Sequence, residues 1–275
     1  MEIRQVIWSN GQWQKSPPAE LDSEKTVVLI FYSPNLSTSK TLLEIKSLFP
    51  LSKVVGCSGA GEIMGTEVFD DQIILTAVKF QQKESRIAAT DVHLKSPEDS
   101  YAAGKNLAEK LIAPDLRAIY LLCEGLNING SSLVTGLRDV VPPGVEISGG
   151  LAGDGTQFKS TTTYHEGQVN TNHVTGIGFY GKTIHYLCAA NGGWDSFGIE
   201  RKITKSVGNV LYEIDGKPAL MLYREFLGDR AKDLPAAGLL FPIHIQSDQT
   251  GPRKIVRTLL SLNEAEQSLT FAGDM

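Results

Sequence analysis

The chain has 275 residues, 41% of them hydrophobic and 21% charged, with a formal net charge of −5, and such a chain can bury a sizeable core in one large domain or two smaller ones. Because the charge includes no blocks of like sign and no apolar run approaches the roughly 20 residues of a membrane span, neither nucleic acid nor membrane is expected as a partner. Three cysteines without a CxxC pair exclude a disulfide framework and a zinc pattern, and the N-terminus lacks a signal peptide's apolar core, so we expect a cytoplasmic protein with reduced thiols.

The first predicted elements form a pattern that recurs 92 residues later. Residues 27–62 and 119–154 each begin with an apolar run typical of a buried strand, continue with helical spacing, and return as a strand into a glycine-rich turn. A proline follows each predicted helix, because its missing N–H disfavours continuation. The residues expected on the buried helix faces are Leu42, Ile45, Leu48 and Phe49 in the first copy and Val134, Leu137, Val140 and Val141 in the second.

Beyond each turn the sequence predicts β structure. Residues 66–80 and 161–181 are predicted as hairpins, with turn signals at Asp70-Asp71 and Glu166-Gly167, and residues 86–94 and 183–190 as further strands. One helix is predicted between the copies, over residues 97–112, with Ser96 as N-cap and Asp99 completing a capping box. Its expected core-facing residues are Tyr101, Ala108, Leu111 and Ile112.

The pattern changes near residue 195. Two strands with turns at Gly208-Asn209 and Asp215-Gly216 are predicted first. A helix then runs between Pro218 and Gly228, with an apolar face of Leu220, Tyr223, Phe226 and Leu227. Strands are predicted within residues 241–247, 254–263 and 268–273.

These elements predict a mixed α/β fold. Duplicated β-α-β units with added antiparallel strands (about 27–80 and 119–180) would form a pseudo-twofold N-terminal domain, residues 25–194. A smaller α+β module would follow, residues 195–275. Trp194 lies at the junction, where it would pack the domains together or line a pocket.

The glycine turn at residues 54–63, VVGCSGAGEI, does not fit the common glycine motifs. A dinucleotide fingerprint needs a helix directly after the glycines, whereas β-formers follow here. A nucleophile elbow needs glycine where Ala60 stands. The five histidines show no ligand spacing, so no metal site and no catalytic set is predicted. An enzyme using Cys57 or Ser58 would need a histidine supplied by the fold.

The acids that follow the two turns, Glu62 and Asp154, are the better candidates for a site. Glycines meet the needs of tight turns and close packing without any ligand. The two carboxylates could bind an amine in a shared cleft or accept backbone N–H bonds, and both interpretations stay open. The predicted ligand-binding residues are Cys57, Ser58, Gly61, Glu62, Gly150, Gly153, Asp154 and Trp194.

Seven motifs together resemble the FIST domain family. They are GCSGAGEI, SGGLAGDG with Phe158, VTGIGFYG, GWDSFG, the stretch ITKSVGNVLYEIDGKPALMLYREFLG, FPIHI and SLTFAGDM. The resemblance covers residues from about 25 to the end and implies an N-terminal and a C-terminal FIST module. Because the family's C-terminal module normally continues beyond the LTFAGD strand, this module is expected to be incomplete.

The resemblance also implies a function. FIST domains are sensory domains of bacterial signalling proteins and some eukaryotic F-box proteins, with small molecules such as amino acids proposed as ligands. We therefore expect a non-enzymatic, cytoplasmic sensory module that binds a small polar ligand and signals through a separate protein. Some members resemble haem-based nitric oxide sensors, which makes haem the alternative, although no cofactor is predicted and no axial ligand is singled out.

Overall fold

The structure is a computed structural model that describes residues 1–190, 193–246 and 254–275. The chain divides into two compact units. The first comprises Met1–Asn127 and Leu133–Cys188, and the second comprises Ile128–Ser132 and Ala189–Met275.

The first unit contains thirteen of the described strands and three α-helices. The strands are β1 (Glu2–Ser9), β2 (Gln12–Trp13), β3 (Thr26–Tyr32), β4 (Lys53–Ser58), β5 (Glu62–Met64), β6 (Glu67–Phe69), β7 (Ile73–Lys79), β8 (Arg86–His93), β9 (Leu116–Cys123), β10 (Glu146–Leu151), β11 (Thr163–His165), β12 (Gln168–Asn170) and β13 (His173–Tyr180). The helices are α1 (Lys40–Leu48), α2 (Ser100–Leu111) and α3 (Gly130–Arg138), whose first residues group with the second unit.

Two mixed sheets organise this unit. The larger has seven strands in the order β12-β11-β4-β3-β7-β1-β2, and the smaller has four in the order β10-β9-β13-β8. Each sheet contains one parallel pair, β3 with β4 and β9 with β10, and each pair is joined through a helix as parallel strands require. The remaining strands pair antiparallel, and β5 and β6 form a separate hairpin.

The two sheets pack face to face through a shared apolar layer. Val27, Val55 and Cys57 of the large sheet meet Leu122 and Ile177 of the small one in a single buried cluster. Alternate residues of the same strands point the other way, as the two-residue period of a strand dictates. On the outer face of the large sheet they pack against helix α1.

Helix α2 covers the outer face of the small sheet, and helix α3 packs against α2. A side chain at Gly176 of β13 would lie 2.8 Å from Leu107 of α2, which places this helix directly on the strand. A Cβ atom at Gly104 of α2 would lie 2.1 Å from the Leu133 carbonyl oxygen of α3, so these helices need glycine at their contact. The first unit therefore has four layers, helix, sheet, sheet and helices.

The second unit is a smaller α+β assembly. Its described elements are β14 (Ile203–Val207), β15 (Val210–Ile214), β16 (Lys217–Pro218), α4 (Ala219–Leu227), β17 (Ile243–Ile245), β18 (Ile255–Arg257), β19 (Leu259–Asn263) and β20 (Ser268–Phe271). A sheet in the order β14-β15-β20-β19, with β16 beside β15, carries α4. Of the strand predicted over 241–247, Ser247 lies outside the described residues.

The α/β fold class is confirmed, and so are most element positions, but the faces of all four predicted helices differ in part from the sequence prediction. On α1 the buried residues include Leu42, Ile45 and Phe49, whereas Leu48 is exposed. On α3, Leu133 is buried in place of Val134. Tyr101 and Ile112 of α2 and Phe226 of α4 are also exposed. These residues border the apolar stripes, where helical spacing alone does not decide burial.

Two strand predictions also need correction. Residues 66–80 turn at Asp70-Asp71 as expected, but β6 pairs with β5 and not with β7, which joins the large sheet. Residues 183–190 form no strand, and Leu187 is almost fully exposed. The hairpin turn at Glu166-Gly167 is confirmed, with both residues at positive φ.

The two β-α-β segments share element order and strand sense, and Ile45 and Leu137 are both fully buried on their helices. Their strand registers differ. Tyr32 pairs with Ser58 in the first, whereas Leu122, not Glu124, pairs with Gly150 in the second. The duplication itself stays a prediction.

Substituting Ile45 by alanine should destabilise the first unit strongly. Ile45 is fully buried under the large sheet, and such a truncation typically costs about 2–5 kcal/mol through lost burial and a cavity. Leu48→Ala on the same helix is the control, because Leu48 is 41% exposed and its truncation should cost far less. Urea denaturation of both variants measures the difference, and equal losses would contradict this packing of α1.

Candidate functional site

The two glycine turns meet each other. The backbone N–H of Gly153 donates to the Ser58 carbonyl oxygen at 3.0 Å. A Cβ atom at Gly153 would lie 3.2 Å from both the backbone nitrogen and the Cβ of Ala60, which is tighter than ordinary contact. Because β4 ends at Ser58 and β10 at Leu151, packing of the two sheets brings the carboxyl ends of these strands together.

The first turn requires glycine for a backbone reason as well. Gly61 has φ +128°, a conformation that residues with a side chain rarely adopt. A Cβ atom there would lie 2.9 Å from Val68 of the β5–β6 hairpin. The strand β5 begins directly afterwards, at Glu62, so no helix N-terminus is available here for a phosphate group.

The segment before β11 closes over the turns. The Thr162 N–H donates to Ser58 Oγ at 3.1 Å, and the hydroxyls of Thr162 and Tyr32 are 3.0 Å apart. Thr161 is bound at the end of β9, where its hydroxyl donates to Glu124 Oε2 at 3.3 Å. Both hydroxyl-bearing threonines therefore anchor this segment to the ends of the central strands.

Asp154 serves its own loop. Its carboxylate accepts backbone N–H bonds from Phe158 at 3.2 Å, Lys159 at 2.6 Å and Ser160 at 3.1 Å. The side chain is buried, so these bonds replace its lost hydration. Of the two interpretations left open by the sequence, the backbone-acceptor role describes the geometry of Asp154.

Glu62 has a different environment. It is only 1% exposed, and Ser33 Oγ donates to Glu62 Oε2 at 2.6 Å. The other oxygen, Oε1, is buried without a hydrogen-bond partner among the described residues. A Cβ atom at Gly59 would lie 2.9 Å from this oxygen, so the missing side chain of Gly59 makes room for the carboxylate.

Burial raises the pKa of the Glu62 carboxyl. The Ser33 hydroxyl and the residue's own backbone N–H act in the opposite direction, while the negative charges of Asp70 and Asp71 raise the pKa further. The carboxylate is therefore buried beside two negatively charged side chains, and no basic side chain contributes to the shift of its pKa.

Ser33 links Glu62 to a second unpartnered oxygen. Ser33 Oγ accepts from the Gln72 backbone N–H at 3.2 Å while donating to Glu62. The Gln72 side-chain oxygen Oε1 is also buried without a partner among the described residues. Glu62 and Gln72 therefore each have one buried side-chain oxygen without a donor among the described residues.

Cys57 is buried in the apolar layer between the sheets. Burial raises the pKa of its thiol to about 12, with a smaller contribution from the Glu62 charge. The thiolate is the nucleophilic form, and burial disfavours it for this cysteine. Cys123 is buried nearby and its thiol pKa is likewise raised by burial. This geometry favours a packing role for Cys57.

Two other predicted site residues differ in their surroundings from the turn residues. Gly150 is exposed on β10, and a Cβ atom there would meet nothing within 4 Å. Trp194 belongs to the second unit and is 46% exposed. The structure thus brings Ser58, Gly61 and Glu62 together with Gly153, and ligand binding by any of the predicted set stays a prediction.

The sequence prediction missed the strand-end residues that organise the site, Ser33 and Glu124. The Glu124 carboxylate is buried and accepts backbone N–H bonds from Leu126, at 3.2 Å, and from Asn127. A usable signal existed, because each follows an apolar run that predicts a buried strand. A polar residue at the carboxyl end of such a strand lies where α/β sheets bind ligands.

Comparison with known proteins fixes the family. The FIST N domain matches residues 26–217, and the FIST C domain matches residues 219–275. The chain belongs to the FIST family. The resemblance carried by the seven motifs is therefore confirmed, and FIST domains are sensory domains of signal transduction.

A relative of this FIST chain occurs in Methanocaldococcus jannaschii. That uncharacterized protein is 24% identical over 200 residues, which make up 68% of this chain and 38% of the relative. The FIST chain thus spans well under half the length of the relative it matches.

Two findings concern partners of the FIST chain. Within the described ranges, no group of three or more histidine, cysteine, aspartate or glutamate residues is arranged to hold a metal ion. No helix in the described part of the chain combines the length and the apolar character needed to cross a membrane.

Gly61→Val should destabilise the FIST fold, because a β-branched side chain is strained at φ +128° and collides with Val68. Gly150→Val is the matched control, since Gly150 lies on a strand with open space around it. We expect a melting temperature several degrees lower for the first variant only. Equal melting temperatures would show that Gly61 has no special backbone role.

Thiol labelling at pH 7.5 should distinguish the three cysteines. Cys188 is exposed and should react rapidly, whereas Cys57 and Cys123 are buried with raised thiol pKa values and should react only on unfolding. Mass spectrometry after timed iodoacetamide labelling counts the modified sites. Rapid modification of Cys57 in the folded protein would instead favour an activated thiol.

Proposed function

We propose that this FIST chain is a sensory module whose first unit binds a small polar ligand, such as an amino acid. An N–H group of the ligand would donate a hydrogen bond to the Glu62 carboxylate. One observation carries the proposal. A carboxylate oxygen that is almost completely buried, Glu62 Oε1, has no hydrogen-bond partner among the described residues.

The energetics favour a donor at this position. A buried acceptor without a partner typically costs about 1–3 kcal/mol, and more when it is charged. A ligand ammonium or amide group placed against Oε1 would remove that cost, and it would also neutralise the charge.

The surrounding charges favour a cationic group over an anionic one. Asp70 and Asp71 follow the β5–β6 hairpin and interact electrostatically with Glu62. Asn35 Nδ2 donates to Asp71 Oδ1 at 2.6 Å and so holds one of these carboxylates beside the end of β3. An amino-bearing ligand therefore suits the site, whereas a phosphate or a dicarboxylate without an amine does not.

The sensory role follows from the family, and the transmission of the signal to another protein is part of the proposal. We infer that ligand binding in the cytoplasm is transmitted to a separate signalling protein. The meeting of the two glycine turns supports this inference, because Gly153 and Ser58 connect elements of both sheets. A ligand seated at Glu62 would therefore contact the point where the sheets join.

Neither alternative function has a supporting arrangement in the described part of the chain. A cysteine enzyme needs a thiolate, and burial keeps the Cys57 thiol protonated. A haem sensor needs an axial ligand, but His165 and His173 face Asp91, and His93 packs against the His173 ring. His244 lies 3.0 Å from Ser196 Oγ. No observation on these side chains singles out a haem ligand.

A thermal-shift screen of amino acids and amines tests the proposal. We expect at least one amino-bearing compound to raise the melting temperature, and Glu62→Gln to weaken its binding roughly ten- to a hundredfold by removing a charge-assisted hydrogen bond. Glu67→Gln is the control, because Glu67 lies on the same hairpin with its side chain exposed. A ligand whose affinity survives Glu62→Gln would disprove the assigned role of this carboxylate.

Without ligand, Glu62→Gln should stabilise the protein at neutral pH. Burial raises the pKa of Glu62 in the folded state, so folding favours the protonated form and its stability cost grows as pH rises from the ordinary glutamate range. Glutamine keeps the shape and the Ser33 hydrogen bond but carries no charge. Melting temperatures measured at pH 4 and pH 7 should therefore favour the variant only at pH 7. A variant less stable than the native chain at pH 7 would contradict this prediction.

A further inference from the structure

Three carboxylates lie at one end of the β5–β6 hairpin. Glu62, the first residue of β5, is paired with Phe69, the last residue of β6. Asp70 and Asp71 follow Phe69 directly in the chain. Because paired residues of antiparallel strands lie about 5 Å apart, this register places both aspartates near Glu62. We call Glu62, Asp70 and Asp71 the acidic corner.

Hydrogen bonds hold the acidic corner to the end of β3. The Ser33 N–H donates to the Gln72 carbonyl oxygen at 3.0 Å, and the Gln72 N–H donates to Ser33 Oγ at 3.2 Å. The same serine donates to Glu62 Oε2 at 2.6 Å. Asn35 Nδ2 donates to Asp71 Oδ1, also at 2.6 Å. The turn that carries Asp71 is therefore held beside the buried Glu62 carboxylate.

The acidic corner is short of positive charge and of hydrogen-bond donors. Within residues 1–190, 193–246 and 254–275, no ion pair includes Glu62, Asp70 or Asp71. The oxygens Glu62 Oε1 and Gln72 Oε1 are both acceptors, and both are buried without a partner in the described part of the chain. An ammonium group supplies what is missing, because it is positively charged and carries three donors and no acceptor.

A single ion does not suit this arrangement. In the described ranges, no group of three or more histidine, cysteine, aspartate or glutamate residues is arranged to hold a metal ion, so the three carboxylates do not converge on one point. Glu62 is also buried, whereas Asp70 and Asp71 are exposed. Two cationic groups joined by a flexible chain can reach the buried and the exposed carboxylates together.

A carboxylate on the ligand is disfavoured at the same place. A free α-amino acid carries its carboxylate on the same carbon as its ammonium group. With that ammonium group at Glu62, the carboxylate would be repelled by Asp70 and Asp71, whose charges act on Glu62. A ligand with an amine at both ends avoids this repulsion.

The hairpin offers a way to the buried carboxylate. Among the described strands, β5 and β6 pair only with each other. Their directly paired residues Ile63 and Val68 are 65% and 68% exposed, so moving this part of the hairpin sacrifices little apolar burial. Displacement of the hairpin would therefore open the space around Glu62 at a small cost in stability.

We propose that the acidic corner binds a diamine, with one ammonium group at Glu62 Oε1 and the other at Asp70 and Asp71. This inference rests on the proposed function, because it starts from an amine site at Glu62. It narrows the ligand class to compounds with two cationic ends and no carboxylate.

Isothermal titration calorimetry with three matched four-carbon compounds tests the proposal. Putrescine has an ammonium group at both ends, butylamine has one, and γ-aminobutyrate has a carboxylate in place of the second. At low ionic strength we expect putrescine to bind about three- to tenfold more tightly than butylamine, as partly exposed ion pairs allow. We expect γ-aminobutyrate to bind more weakly than butylamine, and added salt to reduce both differences.

The double variant Asp70→Asn/Asp71→Asn tests the second ammonium site. Asparagine tolerates the positive φ of Asp71, +58°, and its side-chain oxygen can still accept from Asn35. The preference for putrescine over butylamine should fall to about twofold, the statistical advantage of two equivalent ends. Asp115→Asn is the matched control, because it removes a surface charge that pairs with Arg86 and should leave the preference unchanged.

The outcomes separate this inference from the proposed function. The diamine proposal is overturned if the native preference for putrescine does not exceed about twofold, if the double variant keeps the native preference, or if γ-aminobutyrate binds more tightly than putrescine. Butylamine binding that is lost in Glu62→Gln would still support the proposed function in those cases. If no amine binds, both are contradicted. The comparison of the three compounds on the native chain decides the case if the double variant does not fold.

Discussion

The apolar layer shared by the two sheets is the constraint on which the rest of this FIST chain depends. Residues of alternating direction on β3 and β4 fill that layer from one side, while β9 and β13 fill it from the other. Hydrophobic burial sets the separation of the sheets but carries no direction of its own. Directional contacts between the two sheets are made by polar groups at the edges of the layer, where the Gly153 N–H binds the Ser58 carbonyl and where His165 binds Asp91.

Those edge contacts explain why buried polar groups are retained in an apolar fold. Glu62 is held by one serine and has one oxygen without a partner among the described residues. Its burial raises the carboxyl pKa and so opposes folding at neutral pH. A protein selected for stability alone would gain by replacing this residue with a neutral one. Its presence agrees with the proposed ligand site, in which a donor from the ligand would offset this cost.

Glu62 and Asp154 show how similar local patterns acquire different physical roles. Both acids follow an Ala-Gly pair in their glycine turn, but Asp154 is followed by a loop that folds back and donates three backbone N–H bonds to its carboxylate. Glu62 instead begins a short strand, so its backbone neighbours are engaged in the β5–β6 hairpin. The carboxylate with satisfied hydrogen bonds organises its own loop, whereas the other keeps one oxygen without a partner among the described residues.

The sequence by itself determined the α/β class, the positions of the four helices and of most strands, and the glycine turns, because each depends on local periodicity or on a residue's own backbone freedom. It also placed Ile45 and Leu137 on buried helix faces. Only the tertiary structure decided that β6 pairs with β5, that Leu48 faces solvent, that Ser33 holds Glu62, and that His165 and His173 meet at Asp91. These outcomes depend on which surfaces of distant segments pack together, and neither sequence spacing nor the chemistry of single residues specifies that choice.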